Sequence, residues 1–156
     1  MRGTVLRGWR YDYKARGVAS SDYLGPLPSW AKDLAQKLFD KELFPEVPDQ
    51  VIVNNYDGPQ GISKHIDCPE CFRGPVVTIS LLETWDMIFT RKVAGETLKF
   101  VQPLPRRSVA LLSGEARSRW LHEIPERQKE HKKARVRRIS VTFRKVDADA
   151  PKALRS

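Results

Sequence analysis

The sequence predicts a mainly β protein supported by one helix near its start, a helix-backed antiparallel sandwich or barrel. Two observations carry this. From Gln50 onward, short apolar runs (VIVNNY, PVVTISLL, WDMIFT, TLKFV, SVALLSG and RISVTFRKV) alternate with Gly, Pro, Asn and Asp, which is strand-and-turn texture. Before them, Trp30, Leu34 and Leu38 recur at four-residue steps beside Ala31 and Ala35, the stripe of an amphipathic helix. No second long helical period follows, so the strands must pack mainly on one another.

The elements follow in order. Trp9-Arg10-Tyr11-Asp12-Tyr13-Lys14 alternates aromatic and charged residues, as an exposed strand does. Gly25, Pro26 and Pro28 then break the chain, Ser29 is a suitable N-cap, and the helix is expected over 30–43, ending before Pro45. The short strands occupy the rest to Val146, and 147–156 (DADAPKALRS) reads as a flexible tail. At 156 residues the chain makes one domain of ordinary size, 1–146, able to bury roughly two-thirds of its unfolded surface.

Composition bounds the function. A hydrophobic share of 40% with 9% aromatics argues for a folded protein over a disordered one. The apolar runs are too short to span a membrane as helices, and MRGTVLRGWR has no apolar signal core, so an intracellular, cytoplasmic domain is expected (nuclear also fits a eukaryotic source). Cys68 and Cys71 are the only cysteines, too few for a disulfide framework. Their C-x-x-C spacing suits a zinc knuckle, yet no second Cys pair completes four ligands, and two reduced thiols in a loop are expected. Lys+Arg 28 against Asp+Glu 19 leaves a net charge of +9, which favours polyanionic partners. Residues 127–138 (RQKEHKKARVRR) concentrate that charge, as either a nucleic-acid contact or a solvated basic loop, with His131 exposed inside it.

The chemistry lies in the histidines. His65-Ile66-Asp67 places an imidazole and a carboxylate on one face of an extended segment, with Cα atoms about 6.5 Å apart. His122, in Trp120-Leu121-His122, supplies a third donor. Two histidines and one carboxylate with open positions make the facial set of non-haem Fe(II) oxygenases. Each alone has an ordinary reading, a histidine beside tryptophan being more often a packed core residue. The strand Arg138-Ile139-Ser140-Val141-Thr142-Phe143-Arg144 puts Ile139, Val141 and Phe143 on one face and Arg138, Ser140, Thr142 and Arg144 on the other. That polar face either meets water or lines an interior, where two arginines require anionic partners. Their Cα atoms stand about 20 Å apart on an extended strand, yet side chains leaning together can bracket a small dicarboxylate.

Asn54-Asn55-Tyr56, His65-Ile66-Asp67, Gly114-Glu115-Ala116-Arg117, His122 and Arg138 to Arg144 resemble, in order and spacing, the AlkB family of Fe(II)- and 2-oxoglutarate-dependent dioxygenases. The resemblance covers residues 8–146. It implies a double-stranded β-helix (jelly roll) backed by the early helix. It implies that His65, Asp67 and His122 bind iron, and that Arg138 with Tyr56 takes the distal carboxylate of 2-oxoglutarate. Arg144 and Asn54 would hold the end nearer the metal, with Ser140 and Thr142 on the same lining. The implied reaction consumes 2-oxoglutarate and O2 to oxidise a substrate C–H, an oxidised N-methyl group leaving as formaldehyde. The implied partner is nucleic acid, DNA or RNA, single-stranded or with a flipped base, met by a monomer. Trp9, Arg10, Tyr11, Tyr13 and Lys14 match the nucleotide lid and suit base stacking and phosphate contact, against an ordinary aromatic edge strand. Arg117 joins this substrate set, or pairs with Glu115 near the site, or shapes a turn.

Departures from the family pattern bear on the substrate. Pro69 stands where the bacterial founder has a second Asp near substrate, Glu123 where a Gly usually follows the distal His, and Ser140 where the founder has Asn. The segment before Trp9 is short for the family, which normally carries part of its lid there. Leu104-Pro-Arg-Arg-Ser108 is similar to the branch acting on wobble uridines of tRNA. The alternatives are an AlkB-like oxygenase acting on protein or lipid, and a non-catalytic basic module that binds single-stranded nucleic acid.

Overall fold

The computed structural model describes residues 3–14 and 16–147; the expected tail, apart from Asp147, lies outside the described residues. Two antiparallel sheets face each other. The larger contains β1 (Gly3–Arg7), β2 (Gln50–Asp57), β4 (Phe72–Leu81), β7 (Ser108–Leu112) and β11 (Arg137–Val146) in the order β1-β2-β11-β4-β7. The smaller contains β3 (Ile62–His65), β5 (Trp85–Val93), β6 (Glu96–Leu104) and β8 (Leu121–Ile124) in the order β3-β8-β5-β6. A hairpin of β9 (Lys129–Glu130) and β10 (Lys133–Ala134) packs outside, and the short α2 (Gly114–Ser118) joins β7 to β8. The mainly β, helix-backed sandwich is as the sequence predicts.

Helix α1 (Ser29–Asp40) starts one residue earlier than expected, with Pro28 rather than Ser29 in the N-cap position. It stops three residues before the expected end, because Glu42 takes a positive φ of 60° that no helix continues. Its Ala31, Ala35 and Leu38 pack on Val51, Val77, Val141 and Phe143 of the larger sheet. Trp30, expected on that stripe, stays 45% exposed.

Strand β11 organises the interior. It lies between β2 and β4, with Ser140 opposite Asn54 on one side and Ser80 on the other. Its odd-numbered face packs on α1, so Arg138, Ser140, Thr142 and Arg144 must point between the sheets. Tyr56, Val76, Trp85, Met87, Phe89, Leu104, Leu112 and Ile124 fill part of that gap, leaving a cavity of about 490 Å³.

The segment 9–14 is not the expected strand. β1 ends at Arg7, and Gly8 turns the chain at a φ of 81°, where an added Cβ would come within 2.0 Å of the Asp49 carbonyl oxygen. Beyond it the chain folds back through bridges Trp9–Tyr23 and Asp12–Gly17. Cys68 and Cys71 are joined as a disulfide, not the two free thiols expected, and are buried with Phe72 and Val146 against Trp9, Tyr11 and Val18. Among the described residues, no helix is long and apolar enough to cross a membrane.

Candidate active site

The metal-ligating candidates come from the smaller sheet. β3 and β8 pair so that His65 lies directly opposite His122, with ring centroids 4.3 Å apart. Gly61 allows the approach, since a Cβ there would lie 2.1 Å from the Ile124 carbonyl oxygen. Asp67 follows two residues after His65, its Oδ1 being 3.3 Å from His65 Nε2 and 4.0 Å from His122 Nε2. One ligand atom from each of the three lies within 4.8 Å of the others.

The hydrogen bonds orient this set. His65 Nδ1 lies 2.8 Å from the Ser63 carbonyl, an acceptor only, so this nitrogen carries the proton and Nε2 presents its lone pair. Burial favours the neutral form of His65, but the hydrogen bond and charge of Asp67 outweigh it and raise the ring above its ordinary 6.5. Burial and the neighbouring His65 push His122 down to about 4. Burial would raise Asp67, yet His65 and the charge of Arg144 hold it well below the usual carboxylate range. The set at neutral pH is an ionised carboxylate beside two imidazoles, one of them firmly neutral.

Opposite, the larger sheet presents two buried guanidinium groups. Arg138 is 1% exposed, donates from Nη2 to Ser80 Oγ at 2.9 Å and lies 5.5 Å from the Tyr56 ring centroid. Arg144 donates from Nε to Gln50 Oε1 at 2.6 Å, stacks 3.8 Å over Phe72 and faces Asp67 Oδ2 from Nη1 at 3.5 Å. Nε of Arg138 and Nη2 of Arg144 are buried with no protein partner among the described residues. Burial lowers both arginines' pKa, yet a guanidinium stays charged at neutral pH. Two buried cations therefore face a common cavity, an arrangement that favours an anionic ligand.

The other expected residues divide. Asn54, Tyr56, Ser140 and Thr142 line the cavity, Asn54 Oδ1 accepting from Thr4 Oγ1 at 2.8 Å and Thr142 Oγ1 bonding Thr78 Oγ1 at 3.0 Å. Tyr11 and Tyr13 stack edge-to-face at its margin, where Arg16 joins them. Trp9 packs on Tyr23, Arg10 pairs with Asp22 at 2.9 Å, and neither they nor Lys14 reach the cavity. Of the three roles expected for Arg117 (substrate contact, pairing with Glu115, shaping a turn), the geometry matches the turn: it is buried against backbone carbonyls and is not on the cavity lining, while Glu115 pairs with Arg91 and Arg119.

The basic run is only partly a surface. Arg135 is buried, stacked 4.0 Å from the Trp85 ring centroid and paired with Glu130. Arg127 bridges Glu130 and Asp86, and His131 is exposed, as expected, with its Nε2 bonding Asp86 Oδ1 at 2.9 Å. Asp86, Glu130 and His131 also place ligand atoms within 4.8 Å, but the two guanidinium groups already neutralise both carboxylates. Sequence reading missed Gln50, Thr78, Ser80 and Phe72, which orient the polar face of β11. Thr78 and Ser80 were visible as polar alternation inside PVVTIS.

A jelly-roll-like sandwich whose cavity joins a His-x-Asp and distal His set to two buried arginines defines a class, the 2-oxoglutarate-dependent oxygenases. The chain belongs to the 2OG-Fe(II) oxygenase superfamily, whose family model matches residues 2–144, and its relatives place it with AlkB. It is 32% identical to an "Alkylated DNA repair protein ALKBH8 homolog" of Arabidopsis thaliana, over 89% of this chain and 47% of that one. It is 33% identical to the "RNA demethylase ALKBH9B" of the same plant, over 94% of this chain and 30% of the other. It is 31% identical to the mouse (Mus musculus) "tRNA (carboxymethyluridine(34)-5-O)-methyltransferase ALKBH8", over 78% and 18%. The chain therefore spans less than half the length of each of these curated relatives. The solved structure of OsALKBH1 matches in fold, with a TM-score of 0.62 at 20% identity, over 92% of this chain and 78% of that one. The family's cofactors are Fe(II), 2-oxoglutarate and O2.

The residues present fit these groups. Two imidazole nitrogens and a carboxylate oxygen suit ferrous iron and leave positions open. The unpartnered nitrogens of Arg138 and Arg144 suit a dicarboxylate.

Proposed function

We propose that this chain is an Fe(II)- and 2-oxoglutarate-dependent dioxygenase that hydroxylates or demethylates a base in nucleic acid. The observation that carries the reading is the meeting of His65, Asp67 and His122 in one cavity with Arg138 and Arg144. His65 Nε2, Asp67 Oδ1 and His122 Nε2 would hold the iron. Arg138, beside Tyr56 and Ser80, would take the distal carboxylate of 2-oxoglutarate, and Arg144 with Asn54 its metal-proximal end. When bound, these groups with O2 supply an oxidant that removes hydrogen from a substrate C–H and leave succinate and CO2.

The chain's own part is positioning. Ser63 fixes the His65 tautomer, Gln50 and Phe72 fix Arg144, and Ser80 fixes Arg138, so each group needs little reorganisation on binding. Met87, Leu112 and Ile124 give the cavity apolar walls beside its polar donors. At its margin, Tyr11 and Tyr13 offer aromatic faces and Arg16 and Lys64 offer charge, the combination that stacks a base and holds a phosphate. The net charge of +9 and the nucleic-acid activities named for the relatives support that substrate class.

Decarboxylation of 2-oxoglutarate tests the reading. A methylated oligonucleotide should stimulate turnover, a methylated peptide or lipid should not, and His65→Ala or Asp67→Ala should abolish it. Stimulation by peptide or lipid alone would move the enzyme to that substrate. Oligonucleotide binding that survives in a wild-type protein without turnover would reduce it to a binding module.

A further inference from the structure

Arg117 sits on α2, 8% exposed, away from the cavity lining. Its guanidinium is wrapped by the turn that follows Asp67. Nη1 donates to the Asp67 carbonyl at 2.6 Å; Nη2 donates to the Phe72 carbonyl at 3.1 Å and, more weakly, to that of Cys68 at 3.4 Å. The amides of Cys71 and Phe72 both close on the Cys68 carbonyl at 3.2 Å, so these residues form one tight loop around the cation. The planar fork of a guanidinium suits several converging carbonyls, which a point-like ammonium cannot reproduce.

The placement joins the two halves of the donor set. Arg117 lies just ahead of β8, so a short stretch of chain connects it to His122. Through its hydrogen bonds the same residue holds the backbone of Asp67. Beside the pairing of His65 with His122, this gives the chain a second tie between Asp67 and the start of β8, made by one side chain and the few residues that follow it. We propose that Arg117 is the positioning residue that sets Asp67 against the two histidines, and that it does not contact substrate. This rests on the reading of His65, Asp67 and His122 as metal ligands.

Arg117→Lys keeps the charge and removes the fork. Mn(II) affinity is measured by titration, Co(II) geometry by its d–d spectrum, and binding of a methylated oligonucleotide on metal-free protein. The expected result is Mn(II) affinity weakened by about tenfold to a hundredfold, a shifted Co(II) spectrum and unchanged oligonucleotide affinity. Wild-type Mn(II) affinity and Co(II) spectrum in the variant would overturn the proposal, as would loss of oligonucleotide binding with metal binding intact. Hydrogen exchange on the wild-type chain covers a variant that does not fold: Mn(II) must slow exchange of the Cys71 and Phe72 amides, and unchanged rates also overturn it. If wild-type protein binds no Mn(II), or His65→Ala binds it equally, the metal-site reading itself has failed instead.

Discussion

Asp67 Oδ2 lies 3.5 Å from Nη1 of Arg144, while its Oδ1 faces His65 Nε2 at 3.3 Å. One carboxylate thus touches both halves of the cavity, the imidazole pair on the smaller sheet and the arginine strand on the larger. Arg144 belongs to the donor set electrostatically as well as to the cavity lining, whereas Arg138 lies on the far side, against Ser80 and Tyr56.

Arg138→Gln and Arg144→Gln should therefore differ. Losing a charge-assisted bond costs about 1.5–3 kcal/mol, so each should weaken 2-oxoglutarate roughly tenfold to a hundredfold. Only Arg144→Gln should also change Mn(II) affinity, because of these two arginines only Arg144 touches the Asp67 carboxylate. Calorimetry of both ligands checks this, and equal effects on the metal would refute the division.

Metal binding should lose affinity in acid through a single group. Asp67 is ionised well below neutral pH, and His122, down at about 4, is already neutral at pH 7. His65 is raised above 6.5 by Asp67, so metal must displace its proton below that raised pKa and none above it. A plot of log Mn(II) affinity against pH should be flat at high pH and fall with a slope of about one below the His65 value, steepening only near pH 4. A slope of about two starting at the His65 value would mean that His122 is not the neutral ligand described.

Salt should act through the exposed tip of the β9–β10 hairpin. Lys132 and Lys133 point into solvent, whereas Arg135, which the charge run groups with them, is buried between Glu130 and Trp85. Neutralising Lys132 and Lys133 should flatten the salt dependence of single-stranded oligonucleotide binding by roughly 0.7 per contact. Arg135→Gln should instead destabilise the fold by about 1.5–3 kcal/mol, the loss of a buried charge-assisted bond, with Arg127 still pairing Glu130. An unchanged slope after both lysine substitutions would remove the hairpin from the interface.

Reduction of the Cys68–Cys71 disulfide should have a modest effect. It closes a very short loop, for which constraint of the unfolded chain is worth about 2 kcal/mol. Urea unfolding with and without dithiothreitol measures that loss, and Mn(II) affinity should persist because Arg117 still holds the turn. Loss of metal binding on reduction would make the disulfide, not Arg117, the clamp.

The parts legible in the sequence are those written in local period. Alternation in β11 separated Ile139, Val141 and Phe143 from the arginines because a strand has a period of two and α1 claims one face. The His-x-Asp spacing was readable for the same reason. β3 was not, since Ile62-Ser63-Lys64-His65 has no apolar run, and the pairing of His65 with His122 is a matter of topology. The aromatic alternation of Trp9 to Tyr13 imitated a strand that Gly8 prevents. Arg135 read as part of a solvated or nucleic-acid-facing charge run, and Arg117 as a substrate, ion-pair or turn residue, because their partners, Glu130 against Trp85 in one case and backbone carbonyls in the other, exist only in the folded chain.

An anaerobic crystal structure with Mn(II) and 2-oxoglutarate tests the central claim most directly. The account predicts one metal at about 2.0–2.2 Å from His65 Nε2, Asp67 Oδ1 and His122 Nε2, with the keto acid's far carboxylate on Arg138. A metal seated instead on Asp86, Glu130 and His131, or a keto acid away from both arginines, would contradict it.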